Sequence, residues 1–222
     1  IGGISFVIKS LNPSCEIVGV VSDQTPGMMF LKKGQSYNSQ SAVNTIADGI
    51  AVKTPSVEMF ETYIQKYVDK VVSVSDNEIA EAIVTIMEKD KVVTEGSGAA
   101  AMAAVISGKI HVKPKTVVLL CGGNIDMNTL NVVVETGLRR KGRLMRLSVI
   151  VNDLPGSLAK LTATMAQNKA NVLDVHHDRV SSDLSLRETR IDFLLETSGF
   201  DHANELIENL QKEGVRILGA GQ

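Results

Sequence analysis

The 222-residue chain contains no tryptophan, only three tyrosines and five phenylalanines, and two cysteines. Cys15 and Cys121 are too few for a disulfide scaffold and suit a reducing compartment, which predicts the cytoplasm. Neither sign of charge is in excess: 23 lysines and arginines face 25 aspartates and glutamates, a formal net charge of -2 with a pI near 6.1. That balance lacks the basic patch of a nucleic-acid-binding protein. No apolar run approaches the ~20 residues that span a bilayer, so no membrane partner is expected. Also missing are the Cys-x-x-Cys and His-x-x-x-His spacings of metal sites, the Gly-x-x-x-x-Gly-Lys phosphate loop and the Gly-x-Ser-x-Gly elbow. The chain opens on Ile1-Gly2-Gly3-Ile4, with neither a methionine nor the basic stretch, apolar stretch and small-residue cleavage site of a secretory leader. It reads as a segment of something longer.

What is present is a globular composition, 44% hydrophobic and 22% charged, with 18 glycines. At roughly 100–200 residues per domain the length allows one or two domains. Residues 4–11 have helical apolar spacing that stops before Asn12-Pro13, because a residue ahead of proline is pushed out of the helical region. Residues 16–21 (EIVGVV) form a short apolar run, the pattern of a strand covered on both faces. A helix is predicted over 55–68, with Thr54 as its N-cap and Pro55 at its first position. After a short strand at 71–74, Ser75 and Glu78 spell a capping box, and Ile79, Ala82, Ile83 and Ile86 repeat at the spacing of one buried helix face. Residues 94–105 are mostly glycine and alanine, so a helix there can pack very close to a neighbour or a ligand. The run 116–121 (TVVLLC) is the strongest buried-strand signal in the chain and leads into Gly122-Gly123-Asn124; another helix follows from about 128 to 140. Strands alternating with helices imply a mostly parallel sheet with helices on both faces.

A basic, glycine-containing link, Arg139-Arg140-Lys141-Gly142-Arg143, marks a domain boundary and divides the chain into 1–142 and 143–222. Beyond it the order changes. A strand at 144–151 is followed by a turn, Asp153-Leu154-Pro155-Gly156, and a helix at 157–168 with Leu158, Leu161 and Met165 on one face. Strands at 171–180 and 188–197 flank a polar loop at 181–186, and a helix at 201–213 precedes a last strand at 215–218. This βαββαβ order is that of a ferredoxin-like unit. The two parts carry 14 basic and 14 acidic residues, and 9 basic and 11 acidic residues, so neither invites an electrostatic partner.

Three segments of the first part occur in a telling order: Thr45-Ile46-Ala47-Asp48-Gly49-Ile50-Ala51-Val52, then Glu95-Gly96-Ser97-Gly98-Ala99, then Cys121-Gly122-Gly123-Asn124-Ile125-Asp126. Together they resemble the threonine ammonia-lyase (threonine dehydratase) family of fold-type II pyridoxal-phosphate enzymes. Asp153-Leu154-Pro155-Gly156-Ser157-Leu158, followed by Asn171-Val172-Leu173-Asp174-Val175-His176-His177-Asp178-Arg179, resembles the ACT regulatory domain of one branch of that family. The resemblance covers nearly the whole chain. It implies an α/β fold, with the C-terminal portion of a catalytic domain in 1–142 and an ACT domain in 143–222. It further implies pyridoxal 5'-phosphate as cofactor, L-threonine and L-serine as substrates, a small amino-acid or nucleotide effector, and a homo-oligomer, dimer or tetramer. The family's cofactor lysine, in a Ser-Phe-Lys-like motif, and its Ser-Gly-Asn-His ring loop have no counterpart here. Of the glycine-rich phosphate loop only the downstream flank is matched, by Ile1-Gly2-Gly3. No catalytic residue is therefore assigned, and the chain alone is expected to be inactive. The alternative is a regulatory and oligomerisation module that binds a small amino acid and has no activity of its own.

The resemblance places Cys121 at the pyridine nitrogen of the cofactor, Gly122 and Gly123 where backbone approaches the ring, Glu95 at the ring's flank, and Asp48 and Gly49 along the pocket. A carboxylate at that nitrogen would keep it protonated, whereas a thiol, a weak donor and weak acceptor, leaves it largely neutral and favours β-elimination of a hydroxyl. Read from the residues alone, Cys121 is a buried small hydrophobe at a strand end and Gly122-Gly123 a sharp strand-to-helix turn. In the same way Glu95 is a first-turn acid favoured by the helix dipole, and Asp48-Gly49 a plain turn. Asp23 falls where related enzymes carry a carboxylate for a structural monovalent or divalent cation; alone it is a solvated loop residue. Asp153, Leu154, Pro155 and Gly156 fall where ACT domains receive an effector carboxylate on the free N–H groups of a helix start. The plain alternative is a proline-glycine turn with Ser157 as the cap. His176 and His177, adjacent on a strand, face opposite ways and cannot share a metal. Ser97 has no base partner and is not read as a nucleophile.

Overall fold

The computed structural model describes residues 1–38, 43–179 and 184–221, and backbone contacts gather the chain into two units, Ile1–Gly137 and Leu138–Gln222. The first contains α1 (Gly2–Leu11), β1 (Val18–Ser22), α2 (Gly27–Lys32), a 3₁₀ turn at Asp48–Ile50, α3 (Val57–Met59), a π-helical turn at Phe60–Ile64, α4 (Gln65–Tyr67), β2 (Lys70–Val74), α5 (Asp76–Asp90), α6 (Gly96–Ile106) and all but the last three residues of α7 (Met127–Arg140). β1 and β2 pair in parallel, from Val18 opposite Lys70 to Ser22 opposite Val74. The helix predicted over 55–68 is capped by Ser56 rather than Thr54. Ser56 is the last extended residue, and its hydroxyl accepts the Met59 N–H at 3.2 Å, so Pro55 precedes the cap instead of following it.

The capping box of α5 forms as its spacing predicts. The Ser75 hydroxyl accepts the Glu78 N–H at 3.3 Å, and the Glu78 carboxylate accepts the Ser75 N–H at 2.7 Å. Ile79, Ala82, Ile83 and Ile86 are fully buried and meet Val72, Val74, Ala99, Ala103 and Val133 in one core. Lys109 donates to the Glu78 carboxylate at 2.6 Å and to the Ser73 carbonyl at 2.8 Å, tying the chain after α6 to the start of α5. Burial pushes the Glu78 carboxyl up, but Lys109 and the Ser75 N–H outweigh it and hold it below its ordinary value. The small residues of α6 permit the close approach expected of them. A Cβ on Gly96 would stand 2.1 Å from the Ile46 carbonyl oxygen, and one on Gly98 would stand 1.4 Å from that of Cys121.

The run 116–121 departs from expectation. It forms no strand, and its residues alternate without pairing: Leu120 packs against the core of the first unit while Val117 is 94% and Leu119 58% exposed. A strand needs backbone partners, and a doubly covered one needs layers on both faces. Among the described residues only β1 and β2 pair in this unit, so one side of the run is covered and the other is not.

The second unit follows the expected order: β3 (Leu144–Asn152), α8 (Ser157–Gln167), β4 (Asn171–Asp178), β5 (Glu188–Glu196), α9 (Phe200–Lys212) and β6 (Arg216–Gly221). The sheet runs β4-β5-β3-β6 with every neighbour antiparallel, the ferredoxin-like arrangement. Leu147 and Val149 of β3 and Ile191, Phe193 and Leu195 of β5 share a core with Leu161 and Met165 of α8 and Leu206 and Leu210 of α9. Ser157 is not the cap of α8. Gly156, at φ 92°, occupies that position, and the Ser157 hydroxyl donates to the Asn152 carbonyl at 2.8 Å. Val180, predicted as a strand end, and residues 181–183 of the predicted polar loop lie outside the described residues. Among the described residues no helix is long and apolar enough to cross a membrane.

Candidate functional site

Three segments distant in sequence meet at the start of α6. Glu95, extended at φ -73° and ψ 166°, immediately precedes the helix, and its N–H donates to the Gly122 carbonyl at 3.1 Å. The buried Thr94 hydroxyl donates to the Cys121 carbonyl at 3.0 Å. Gly122 takes a left-handed φ of 72°, and a Cβ there would stand 2.3 Å from Cδ of Glu95. On the other side a Cβ on Gly49 would stand 2.8 Å from Oγ of Ser97 and 3.6 Å from Oε1 of Glu95. Asp48 turns its carboxylate back onto the Gly49 N–H at 2.8 Å, holding this corner of the chain. Residues 48–49, 95–98 and 121–122 therefore form one cradle, and glycine is required wherever backbone meets backbone or side chain so closely. Gly123 continues along its edge, with the Val93 carbonyl its nearest neighbour.

Two polar groups stand out in this cradle. Cys121 is exposed, with a free thiol, not the buried strand-end hydrophobe that its apolar run suggests. The Ser97 hydroxyl oxygen is shut off from solvent and has no hydrogen-bond partner among the described residues. Buried polar groups are nearly always partnered, so this hydroxyl, packed against Gly49, is an exception. Asp23 lies in the turn after β1, where its N–H donates to the Val74 carbonyl at 2.9 Å and its carboxylate accepts from Gln24 at 3.3 Å. Among the described residues no group of three or more His, Cys, Asp or Glu suited to a metal is found.

In the second unit, Asp153, Leu154, Pro155 and Gly156 form one wall of a cleft of about 530 Å³. His177 and Arg179 at the end of β4, with Thr189 and Ile191 of β5, form the other. The Arg179 guanidinium bridges to the Asp153 carboxylate at 3.1 Å. His177 lies opposite Ile191 and His176 opposite Asp192, so the two imidazoles take opposite faces of the sheet, as strand alternation requires. Sequence reasoning gave no role to Thr94 or Arg179 and considered Ser97 only as a nucleophile. Thr94 and Ser97 flank the Glu95 motif, so their spacing was visible, but their burial was not. Arg179 meets Asp153 only because the sheet brings β4 beside the loop after β3.

A parallel strand pair, flanking helices and glycine-lined close contacts at the start of a small-residue helix define an α/β class. Residues 1–122 match the family described as pyridoxal-phosphate dependent enzyme, and the chain belongs to that family. It is 43% identical over 219 residues to an L-threonine ammonia-lyase of Geobacter sulfurreducens, covering 98% of this chain and 54% of that protein. To an L-threonine ammonia-lyase of Thermotoga maritima it is 40% identical over 223 residues, covering 99% of this chain and 55% of that protein. The solved structure of the processed form of threonine deaminase isoform 2 from Solanum lycopersicum superposes with a TM-score of 0.53 at 28% identity, over 61% of this chain and 38% of that one. These relatives agree with the resemblance carried by the motifs, and the chain spans about half the length of the curated relatives it matches.

Proposed function

We propose that this chain supplies the ring side of the cofactor site in a pyridoxal-phosphate-dependent ammonia-lyase that converts L-threonine to 2-oxobutanoate and ammonia and also accepts L-serine. The observation that carries the reading is the meeting of Asp48–Gly49, Glu95–Gly98 and Cys121–Gly122 around one cradle. It occurs in a chain similar along 98% of its length to a protein named for that reaction. Bound pyridoxal phosphate supplies the electron sink for the elimination. The chain's own residues bind and orient it. Cys121 faces the ring nitrogen with a thiol too weak as donor or acceptor to fix a proton there. Gly122 and Gly123 admit the ring edge to the backbone, Glu95 borders it, and Asp48 and Gly49 wall the pocket. The reading assigns no cofactor lysine to these residues. It takes 1–142 as the C-terminal portion of the catalytic domain, works in the cytoplasm, and leaves Asp23 as a single carboxylate near a structural cation.

In the same reading residues 143–222 are an ACT domain that binds a small amino-acid effector in the cleft beside Asp153, Leu154, Pro155 and Gly156. The chemistry of the cleft supports it: free N–H groups at the start of α8 and the Arg179 guanidinium suit a carboxylate, Asp153 suits an ammonium group, and Leu154 and Leu158 suit an aliphatic side chain. β4 and β6 are edge strands, and such edges are commonly completed by a second copy.

The full-length protein, supplied with pyridoxal phosphate and L-threonine, should release 2-oxobutanoate and ammonia in equal amounts. Absence of product from both threonine and serine would overturn the assignment, and this chain alone should give no turnover. Calorimetric titration with branched-chain amino acids, nucleotides and threonine tests the effector site; no heat from any of them would remove it.

A further inference from the structure

We propose that Thr94 is a positioning residue for the cofactor site, an inference that rests on the cofactor reading of the cradle. Its hydroxyl holds the Cys121 carbonyl and so sets where the Cys121 thiol and the Gly122 backbone stand. Cys121 needs such a hold. It ends the run 116–121, and a strand in that place would be fixed by a ladder of backbone hydrogen bonds. Among the described residues the run pairs with no strand, and Val117 and Leu119 are exposed. Sheet pairing therefore does not set its end. Two bonds from the chain just before α6 do: the Thr94 hydroxyl donates to the Cys121 carbonyl at 3.0 Å, and the Glu95 N–H to the Gly122 carbonyl at 3.1 Å.

Of these two bonds only the first depends on a side chain. Thr94 is 2% exposed, so water does not compete for its proton, and a β-branched side chain has few χ1 choices to wander among. The other acceptor within its reach, the Glu95 carbonyl, lies farther off at 3.4 Å. The hydroxyl is thus committed to a residue 27 positions away. Glycine at 98 keeps that contact open, because a Cβ there would stand 2.5 Å from Oγ1 of Thr94 and 1.4 Å from the Cys121 carbonyl oxygen. The Cys121 thiol itself is exposed, so its place is fixed through the backbone rather than by burial. Without the Thr94 hydroxyl the turn at 121–122 keeps the Glu95 bond alone, about which it can pivot.

Titrating the cofactor-free, full-length protein with pyridoxal phosphate, and following the visible absorbance of the bound form, reads the site without turnover. Thr94→Val keeps the side chain's shape and removes its donor. It is expected to weaken binding about three- to tenfold, the loss of one hydrogen bond, and to shift the absorption maximum. Thr94→Ser keeps the donor and should restore both, although its lost methyl group lowers the melting temperature. Because Thr94 acts through Cys121, adding Thr94→Val to Cys121→Ala should shift the spectrum no further than Cys121→Ala does alone. Unchanged affinity and spectrum in Thr94→Val, with only a lower melting temperature, would mark a merely structural threonine and overturn the proposal. A serine variant that behaves like the valine one, or a second shift of full size in the double variant, would overturn it equally. Should Thr94→Val not fold, Thr94→Ala carries the same readouts. Failure of the unsubstituted protein to take up pyridoxal phosphate would instead overturn the cofactor reading itself.

Discussion

The two units build cores from the same aliphatic stock and complete them differently. In the second unit each of four strands has an antiparallel neighbour, and the sheet carries Leu147, Val149, Ile191 and Leu195 to full burial under two helices. In the first unit two parallel strands pair, and the equally apolar run 116–121 lies without a partner, one side on the core and the other in solvent. Apolar content makes a segment able to be buried. Whether it becomes a strand depends on backbone that arrives from elsewhere in the chain, and parallel pairing demands more of that than a meander does. The same contrast separates the two candidate sites: the cleft of the second unit has walls from one sheet and one loop, whereas the cradle of the first depends on three segments spread over 75 positions from Asp48 to Gly122.

The comparison can be broken most severely at Phe193, which is 2% exposed in the second core. Phe193→Ala should cost about 3–5 kcal/mol through lost burial and a cavity. It should appear as loss of amide protection in β3 and β5 while α5 and α6 keep theirs; equal loss in both units would end the picture of two separately closed cores. Next in size is Gly98→Ala. The added Cβ would run into the Cys121 carbonyl, and overpacking of this kind costs about 1–3 kcal/mol. Because it displaces Cys121 and Gly122, pyridoxal-phosphate affinity of the full-length protein should fall by at least about tenfold, equivalent to about 1.4 kcal/mol. Retained affinity would show that the cradle does not hold the ring.

A smaller effect is expected at the capping box. Glu78 is held below its ordinary value of 4.5, so the stability it adds is complete above pH 4.5 and is lost as pH falls through the lowered value. Glu78→Gln should cost about 1 kcal/mol near neutrality and flatten that acid limb in thermal melts; an unchanged limb would place the acid sensitivity elsewhere. The smallest effect is expected at Val117 in this 222-residue chain taken by itself. There Val117→Ser should change stability by no more than about 0.5 kcal/mol, as at an exposed position. A loss several times larger would mean that 116–121 is buried after all, and would erase the contrast between the units.

Much of the fold was legible before any coordinates. Ser75 and Glu78 announced α5 because a cap is written in residues three apart, and Leu158, Leu161 and Met165 announced the buried face of α8 because a helix returns to the same side every turn. The βαββαβ order was equally plain. The N-cap at Ser56 was missed because Thr54, Pro55 and Ser56 offer competing local signals, and only the backbone angles choose among them. The strand at 116–121 was over-read because burial on two faces is a property of neighbours. Within the candidate site, Asp48, Gly49, Glu95, Cys121 and Gly122 were legible as motifs, but their convergence was not. Ser97 was set aside as a nucleophile for lacking a base, whereas its distinguishing property is a buried hydroxyl with no partner among the described residues.

The sequence by itself determined the helices and their caps, the alternation of the antiparallel strands and the family to which the chain belongs, since these depend on residues a few positions apart or on motifs in order. Only the tertiary structure decided that Gly98 meets Cys121, that Glu95 lies under Gly122, that Arg179 reaches Asp153 and that the Ser97 hydroxyl is stranded. Each of these is a contact between distant segments. Such contacts are set by the packing of whole elements at fixed distances, and no local spacing of residues encodes that distance.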